Sequence, residues 1–214
     1  MHEERVTFSS QDLTLEGLLA LPAGAAPVRG VVICHPHPLY GGSMYNNVVD
    51  AVLAASWQLG WATLRFNFRG VGASEGEHTG GGGEAADAAA AAMFLGEQAG
   101  VQPEGVTLAG YSFGAMAALT AAPGISNLAA LMLIALPIQM VDTARIEQFA
   151  RPIILAAGDH DNYCPARQLE ALQRSIGARA QFRLISGADH FFGGYEEELA
   201  DALEAMLRVA AAGS

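Results

Sequence analysis

The alternation of short β-branched segments with longer Ala- and Leu-rich segments is the feature that most limits how this chain can fold. The segments that predict strands are 5–9, 13–21, 28–34, 62–67, 106–109, 128–135, 153–157 and 181–185, and those that predict helices are 47–59, 84–98, 113–122, 142–149, 165–176 and 195–211. Strands that alternate with helices form a mostly parallel sheet covered by helices on both faces. The first two strands have no helix between them and predict an antiparallel hairpin at one edge. We therefore expect an α/β fold with about eight strands.

Three local features refine this prediction. Pro165 fits the first position of a helix, where its missing N–H costs nothing. The glycines at 80–83 precede a predicted helix and are typical of a flexible loop. The connection between the sixth and seventh strands has room for one small helix, so no lid domain is expected. We therefore expect a site that is open at the carboxyl edge of the sheet.

The composition fits one domain over residues 1–214, with 51% hydrophobic and 15% charged residues. There are 22 acidic and 11 basic residues, which give a net charge of −11. No basic cluster could follow a phosphate backbone, so nucleic acid is not an expected partner. Because the chain lacks a long apolar run and a signal-peptide core, we expect no membrane insertion and a cytoplasmic location. The sequence does not indicate an oligomeric state.

The sequence Gly-Tyr-Ser-Phe-Gly at 110–114 directly follows a predicted strand and opens a predicted helix. This pattern is typical of a nucleophile elbow, a sharp turn that lifts one hydroxyl clear of the sheet. Ser112 is therefore the candidate nucleophile. A serine acts in this way when a base takes its proton and an acid orients the base.

The candidate base and acid lie at the ends of later strands. His190 follows the last predicted strand, whereas His160 is adjacent to the candidate acids and too close to them in sequence to be an obvious partner. Asp159 and Asp161 both follow the seventh strand, and Asp142 follows the sixth. From the residues alone, each of these carboxylates could hold the imidazole in the required tautomer.

An oxyanion hole needs two backbone N–H groups. One belongs to Phe113, the residue after the nucleophile, and the other comes from the loop after the third strand. Pro36 and Pro38 in that loop have no N–H to donate. The second donor is therefore His37 or Leu39.

Four other polar or reactive side chains are interpreted as structural. His35 is expected to form hydrogen bonds beneath the site, and Arg69 either binds a substrate carboxylate or, as we favour, pairs with an acid that fixes its loop. Cys34 and Cys164 belong to no metal-binding or redox pattern and are expected to be buried thiols. We expect neither a metal nor a cofactor.

These motifs resemble the α/β-hydrolase superfamily over nearly the whole chain. The resemblance is closest to small, lidless bacterial serine hydrolases with an HPHP-type loop, seen here as His-Pro-His-Pro-Leu-Tyr-Gly-Gly at 35–42. The segment at 66–74, Phe-Asn-Phe-Arg-Gly-Val-Gly-Ala-Ser, is similar to the Gly-rich turn after the family's fourth strand.

The resemblance selects among the open alternatives. It implies Asp161 as the acid, because Gly158, Asp161 and Pro165 match the family's pattern, and it implies His37 as the second oxyanion donor. The elbow carries Ser112 and no cysteine, which argues against a thiol nucleophile of the dienelactone-hydrolase kind.

The resemblance also implies a reaction. We expect a serine esterase that cleaves small carboxylic esters with short or medium acyl groups through an acyl-enzyme on Ser112. The alternatives are a thioesterase, a small peptidase, or a non-catalytic binding protein with this fold. The expected partner is a small ester or another acyl substrate. The candidate lining residues, some of which could instead pack in the core, are Leu39, Tyr40, Ile138, Phe191 and Phe192.

Overall fold

The computed structural model describes residues 1–24 and 27–212, and its described strands form one eight-stranded sheet. The strands are β1 (Glu4–Ser10), β2 (Leu13–Ala20), β3 (Val28–Cys34), β4 (Ala62–Phe66), β5 (Val101–Tyr111), β6 (Leu128–Ile134), β7 (Ile153–Gly158) and β8 (Ala180–Ile185). Their order across the sheet is β1-β2-β4-β3-β5-β6-β7-β8. Strand β2 pairs antiparallel with β1 and with β4, and the other neighbouring strands pair parallel. The predicted fold class and edge hairpin are therefore confirmed.

Helices cover both faces of the sheet. They are α1 (Asn47–Gln58), α2 (Gly82–Gly96), α3 (Phe113–Ala121), α4 (Ala144–Gln148), α5 (Ala166–Ile176) and α6 (Glu196–Ala212). Helices α1 and α6 pack with one face of the sheet in one apolar cluster, and the other four helices contribute to a second cluster on the opposite face. This double burial explains why strands such as β6 are apolar at every position.

The order of the strands reverses at β3 and β5. The chain leaves β3 toward β4 on one side, and it leaves β5 toward β6 on the other side. Loops that follow two adjacent parallel strands and turn in opposite directions leave a crevice between them, where open α/β sheets bind ligands. The predicted oxyanion loop and the serine elbow follow these two strands.

Several element boundaries differ from the prediction by one or more residues. Strand β5 begins at Val101, ahead of Pro103 and Gly105, and its pairing with β3 is irregular there because the register shifts. Pro165 has φ −59° and ψ 120° and precedes the first helical residue of α5. Asp142 also lies outside its helix, and its side chain accepts a hydrogen bond from the N–H of Ala144.

The Gly-rich stretch is more structured than the sequence predicted. Helix α2 begins at Gly82, and the carboxylate of Glu84 accepts hydrogen bonds from the Gly81 N–H and from the N–H and hydroxyl of Thr79. Glu84 is fully buried. A buried carboxylate that accepts several hydrogen bonds holds the loop in one conformation.

A buried ion pair ties the turn after β4 to α2. The Arg69 side chain donates two hydrogen bonds to Asp87, at 3.0 and 2.7 Å, and the Ser10 hydroxyl donates a third to the same carboxylate at 2.6 Å. Removing one partner of such a pair leaves a buried charge uncompensated and destabilises a fold by about 3–5 kcal/mol. Arg69 is therefore engaged within the fold, as favoured above.

No lid is inserted between β6 and β7, where the connection contains only a short 3-10 turn and α4. None of the helices in the described part of the chain is long and apolar enough to cross a lipid bilayer.

Candidate active site

Ser112 occupies a sharp turn between β5 and α3. Its φ of 54° lies in a region that side chains rarely adopt, at a typical cost of about 1–3 kcal/mol. The Ser112 N–H donates to the Ile134 carbonyl at 2.9 Å, which helps to hold this conformation. A Cβ at Gly110 would collide with the Gly114 carbonyl, and one at Gly114 would collide with the Cys34 carbonyl. Both flanking positions therefore require glycine.

The structure brings Ser112, His190 and Asp161 together from the loops after β5, β8 and β7. Ser112 Oγ lies 2.9 Å from His190 Nε2, and His190 Nδ1 lies 2.7 Å from Asp161 Oδ2. His190 and Asp161 are both buried. The three groups form one continuous hydrogen-bonded chain that ends at the serine hydroxyl.

Further hydrogen bonds fix the two partners of the serine. Asp161 Oδ1 accepts from the N–H groups of Tyr163 at 2.8 Å and Cys164 at 3.0 Å. The Tyr111 hydroxyl donates to the His190 carbonyl at 2.8 Å. The imidazole is thus held both by its ring nitrogen and by its backbone.

The alternative acids and base have other contacts. Asp159 accepts hydrogen bonds from the Gly187 N–H at 2.7 Å and from the Ser186 hydroxyl at 3.2 Å, so it joins the loops after β7 and β8. Asp142 caps α4. The His160 side chain is 72% exposed and lies 3.9 Å from Asp159. Of the candidate acids, Asp161 is the one beside His190.

The loop after β3 packs against the elbow. The Cys34 and His35 carbonyls lie so close to Gly114 that no side chain fits between them. The His37 and Phe113 rings are 4.7 Å apart. Phe113 is the first residue of α3, where helical N–H groups have no partner within the helix. The two predicted oxyanion donors are thus residues of neighbouring loops.

His35 lies fully buried beneath this loop. Its Nδ1 lies 2.6 Å from the Pro36 carbonyl, and its Nε2 accepts from the Phe68 N–H at 3.1 Å. An acceptor at Nε2 requires the neutral tautomer with the proton on Nδ1. Burial lowers the pKa of His35 to about 4. The uncharged imidazole therefore links the turn after β4 to the loop after β3.

This lowered pKa predicts a loss of stability in acid. The unfolded chain takes up the proton near pH 6.5 and the folded chain only near pH 4, so the free energy of unfolding should fall as the pH drops between these values. The contribution of His35 should reach about 1.4 kcal/mol per pH unit. The free energy of unfolding should be measured by urea titration at several pH values in this range. We expect this part of its pH dependence to be absent in His35→Gln and retained in the exposed-site control His160→Gln. Equal slopes in wild type and His35→Gln would contradict the prediction.

The sequence interpretation missed His78, which lies on the loop between β4 and α2. Its ring is 4.9 Å from that of His37 and 5.4 Å from that of Phe113, and its Nδ1 lies 2.8 Å from Glu84 Oε1. Glu84 accepts a hydrogen bond from the Gly81 N–H, but Gly81 has no side chain to complete the Ser/Thr-x-x-Glu pattern of a capping box, so the sequence carried no such signal for the buried carboxylate. The contact of His78 with the oxyanion loop had no local signal, because it joins residues from distant parts of the chain.

The candidate lining residues fall into two groups. Leu39, Tyr40 and Phe191 are exposed at the edge of the site, and the Phe191 ring is 5.5 Å from the His190 ring. Ile138 and Phe192 are buried in the core clusters. The first three remain candidates for substrate contact.

Both cysteines are free and buried, and burial raises the pKa of each thiol. A thiol with a raised pKa is a poor nucleophile at neutral pH. In the described residues, His, Cys, Asp and Glu side chains form no group that could hold a metal ion.

The fold and the serine elbow define this protein as a lidless α/β serine hydrolase. An α/β serine hydrolase homologue from Coxiella burnetii is 35% identical, with a TM-score of 0.84 over 96% of this chain and 97% of that chain. A serine hydrolase without a lid from Xanthomonas campestris is 28% identical, with a TM-score of 0.83 over 98% of this chain and 95% of that chain. An uncharacterised protein from Rickettsia prowazekii is 31% identical in an alignment of length 212 that covers 95% of this chain and 88% of the relative.

Residues 77–211 match the Dienelactone hydrolase family. The chain belongs to this family and is a hydrolase, with serine at the elbow.

Proposed function

We propose that this protein hydrolyses small carboxylic esters through an acyl-enzyme on Ser112. The observation that carries the proposal is the hydrogen-bonded chain from Ser112 Oγ to His190 Nε2 at 2.9 Å and from His190 Nδ1 to Asp161 Oδ2 at 2.7 Å. This arrangement supplies a nucleophile, a base and an orienting acid.

The first half of the reaction forms the acyl-enzyme. Ser112 Oγ attacks the carbonyl carbon while His190 Nε2 takes the hydroxyl proton, and Asp161 stabilises the resulting imidazolium. The carbonyl oxygen becomes an oxyanion that accepts hydrogen bonds from the backbone N–H groups of Phe113 and His37. Collapse of this intermediate breaks the bond to the leaving oxygen, which receives its proton from His190.

The second half releases the acid. His190 removes a proton from water, the resulting hydroxide adds to the acyl carbon, and a second oxyanion forms at the same donors. Its collapse expels Ser112 Oγ, which regains the proton from His190. The ester is thus converted to an alcohol and a carboxylic acid with no net change in the enzyme.

A panel of p-nitrophenyl esters with increasing acyl length tests this function. We expect kcat/KM to be highest for short or medium acyl groups, because Leu39 and Tyr40 are 70% and 87% exposed and cannot enclose a long chain. Matched thioesters and peptide amides are the controls for the leaving group. Faster cleavage of either control than of the esters, at equal acyl length, would contradict the ester assignment.

A further inference from the structure

Exposed apolar side chains cluster around the site at the carboxyl edge of the sheet. The loops after β3, β6, β7 and β8 carry six of the large hydrophobic residues that are exposed, namely Leu39, Tyr40, Tyr45, Met140, Tyr163 and Phe191. Exposed apolar groups that gather at one place on a surface mark a binding site more often than scattered ones do.

Two of these side chains flank His190. The Tyr163 ring lies 4.9 Å from the imidazole at an interplanar angle of 57°, and the Phe191 ring lies 5.5 Å away at 89°. Tyr163 is 63% exposed and Phe191 is 64% exposed, so each ring contacts the histidine and presents most of its surface to a ligand.

The backbone of both aromatic residues is held in place. The Tyr163 N–H donates to Asp161 Oδ1 at 2.8 Å, the same carboxylate that contacts His190. The Phe191 N–H donates to Asp189 at 2.9 Å, and its carbonyl accepts from the Asn47 side chain at 3.0 Å. A backbone that is already held reduces the conformational entropy that these residues lose when a ligand binds.

The chemistry of the triad decides which part of a substrate these rings would contact. The proposed oxyanion donors belong to Phe113 and His37, whereas the proton for the leaving oxygen comes from His190 Nε2. The leaving group must therefore lie next to His190, where Tyr163 and Phe191 are.

We infer that Tyr163 and Phe191 form the binding site for the leaving group and select esters of uncharged, apolar alcohols, aromatic ones above all. This inference rests on the proposed function of Ser112. An aromatic alcohol buries more apolar surface against two rings than a short alkyl alcohol does, and it adds edge and face contacts with them.

The charge of the surroundings explains why the alcohol should be uncharged. Asp161 and Asp189 lie near the site: burial raises the pKa of the Tyr111 phenol, and the negative charges of these two carboxylates raise it further. The protein also carries a net charge of −11. An anionic leaving group, such as a phosphorylated thiol, would be repelled at this position.

The test compares two acetate esters, benzyl acetate and ethyl acetate, which form the same acetyl-enzyme. Wild type should favour the benzyl ester in kcat/KM by about tenfold or more, as is usual for extra apolar groups in a binding site. Tyr163→Ala and Phe191→Ala should each lower this preference by about three- to tenfold. Tyr163→Phe, which keeps the ring, should retain it, and so should Met93→Ala, which removes an exposed apolar side chain from α2.

Deacylation separates leaving-group binding from a role in positioning His190. The alcohol has already departed when the acetyl-enzyme reacts with water. The rate of acetyl-enzyme hydrolysis should therefore change by less than about twofold in both alanine variants. The deacylation rate is obtained from the burst and steady-state phases of p-nitrophenyl acetate hydrolysis. Slower deacylation together with an unchanged benzyl preference would mean that the rings only position His190, and it would overturn the inference.

Fluorophosphonate labelling distinguishes the remaining outcomes. If Ser112 is labelled and the benzyl preference is absent in wild type or unchanged in the alanine variants, the leaving-group site is overturned and the proposed function stands. If Ser112 is not labelled and acetate esters are not cleaved, both proposals are overturned.

Discussion

Replacement of Ser112 with alanine should lower kcat for ester hydrolysis by about 10⁶-fold and abolish covalent labelling by a fluorophosphonate. Ser112 Oγ lies 2.9 Å from His190 Nε2 on a turn with φ 54°, and no other hydroxyl among residues 1–24 and 27–212 has this combination of position and partner. Alanine lacks the attacking oxygen. The remaining activity should come from substrate binding and the oxyanion donors alone.

The control for this variant is Ser186→Ala, which removes an exposed serine hydroxyl from the loop after β8. The Ser186→Ala variant should be labelled by the fluorophosphonate and should hydrolyse esters at the wild-type rate. Mass spectrometry of the labelled peptide identifies the residue that carries the label. Labelling of a residue other than Ser112, or hydrolysis by Ser112→Ala at a rate close to wild type, would contradict the proposed nucleophile.

The second large effect is expected for Asp161→Asn, which should reduce kcat by up to about 10⁴-fold with a small change in KM. Asp161 Oδ2 accepts the Nδ1 proton of His190 at 2.7 Å. An asparagine amide that donates at this position would stabilise the opposite tautomer, in which Nε2 carries the proton and cannot accept one from Ser112.

Asp159→Asn is the matched control, since its carboxylate lies two residues away and contacts Gly187 and Ser186. We expect its kcat to fall by less than about tenfold, within the effect of a small loop displacement. Thermal denaturation of both variants checks that they fold. A larger loss of turnover in Asp159→Asn than in Asp161→Asn would identify Asp159 as the acid instead.

Most secondary-structure elements could be predicted because their signals are local. The apolar runs of β6 and β7 are continuous, as expected for strands that are buried on both faces. The errors occurred where a local signal was overridden. The fifth strand was predicted to begin at 106, yet pairing of Val101 with Val28 extends β5 back past Pro103 and Gly105.

The site was predictable to a lesser degree. The residues alone left Asp159, Asp161 and Asp142 open as the acid, and the choice of Asp161 came from a resemblance. In the structure, the bend of the loop after β7 directs Asp161 toward His190 and Asp159 toward the loop after β8. Residues two positions apart in a turn point in directions that sequence spacing does not specify.

The sequence by itself determined the elements and the elbow, because hydrophobic periodicity and the need for glycine at close backbone contacts act over a few residues. Only the tertiary structure decided which distant groups meet. Ser112 and His190 contact each other because the strand order β5-β6-β7-β8 brings the loops after parallel strands to one edge of the sheet. The same packing places His78 against His37, and Tyr163 and Phe191 beside His190. These contacts depend on strand order and close packing, which no short segment of the chain encodes.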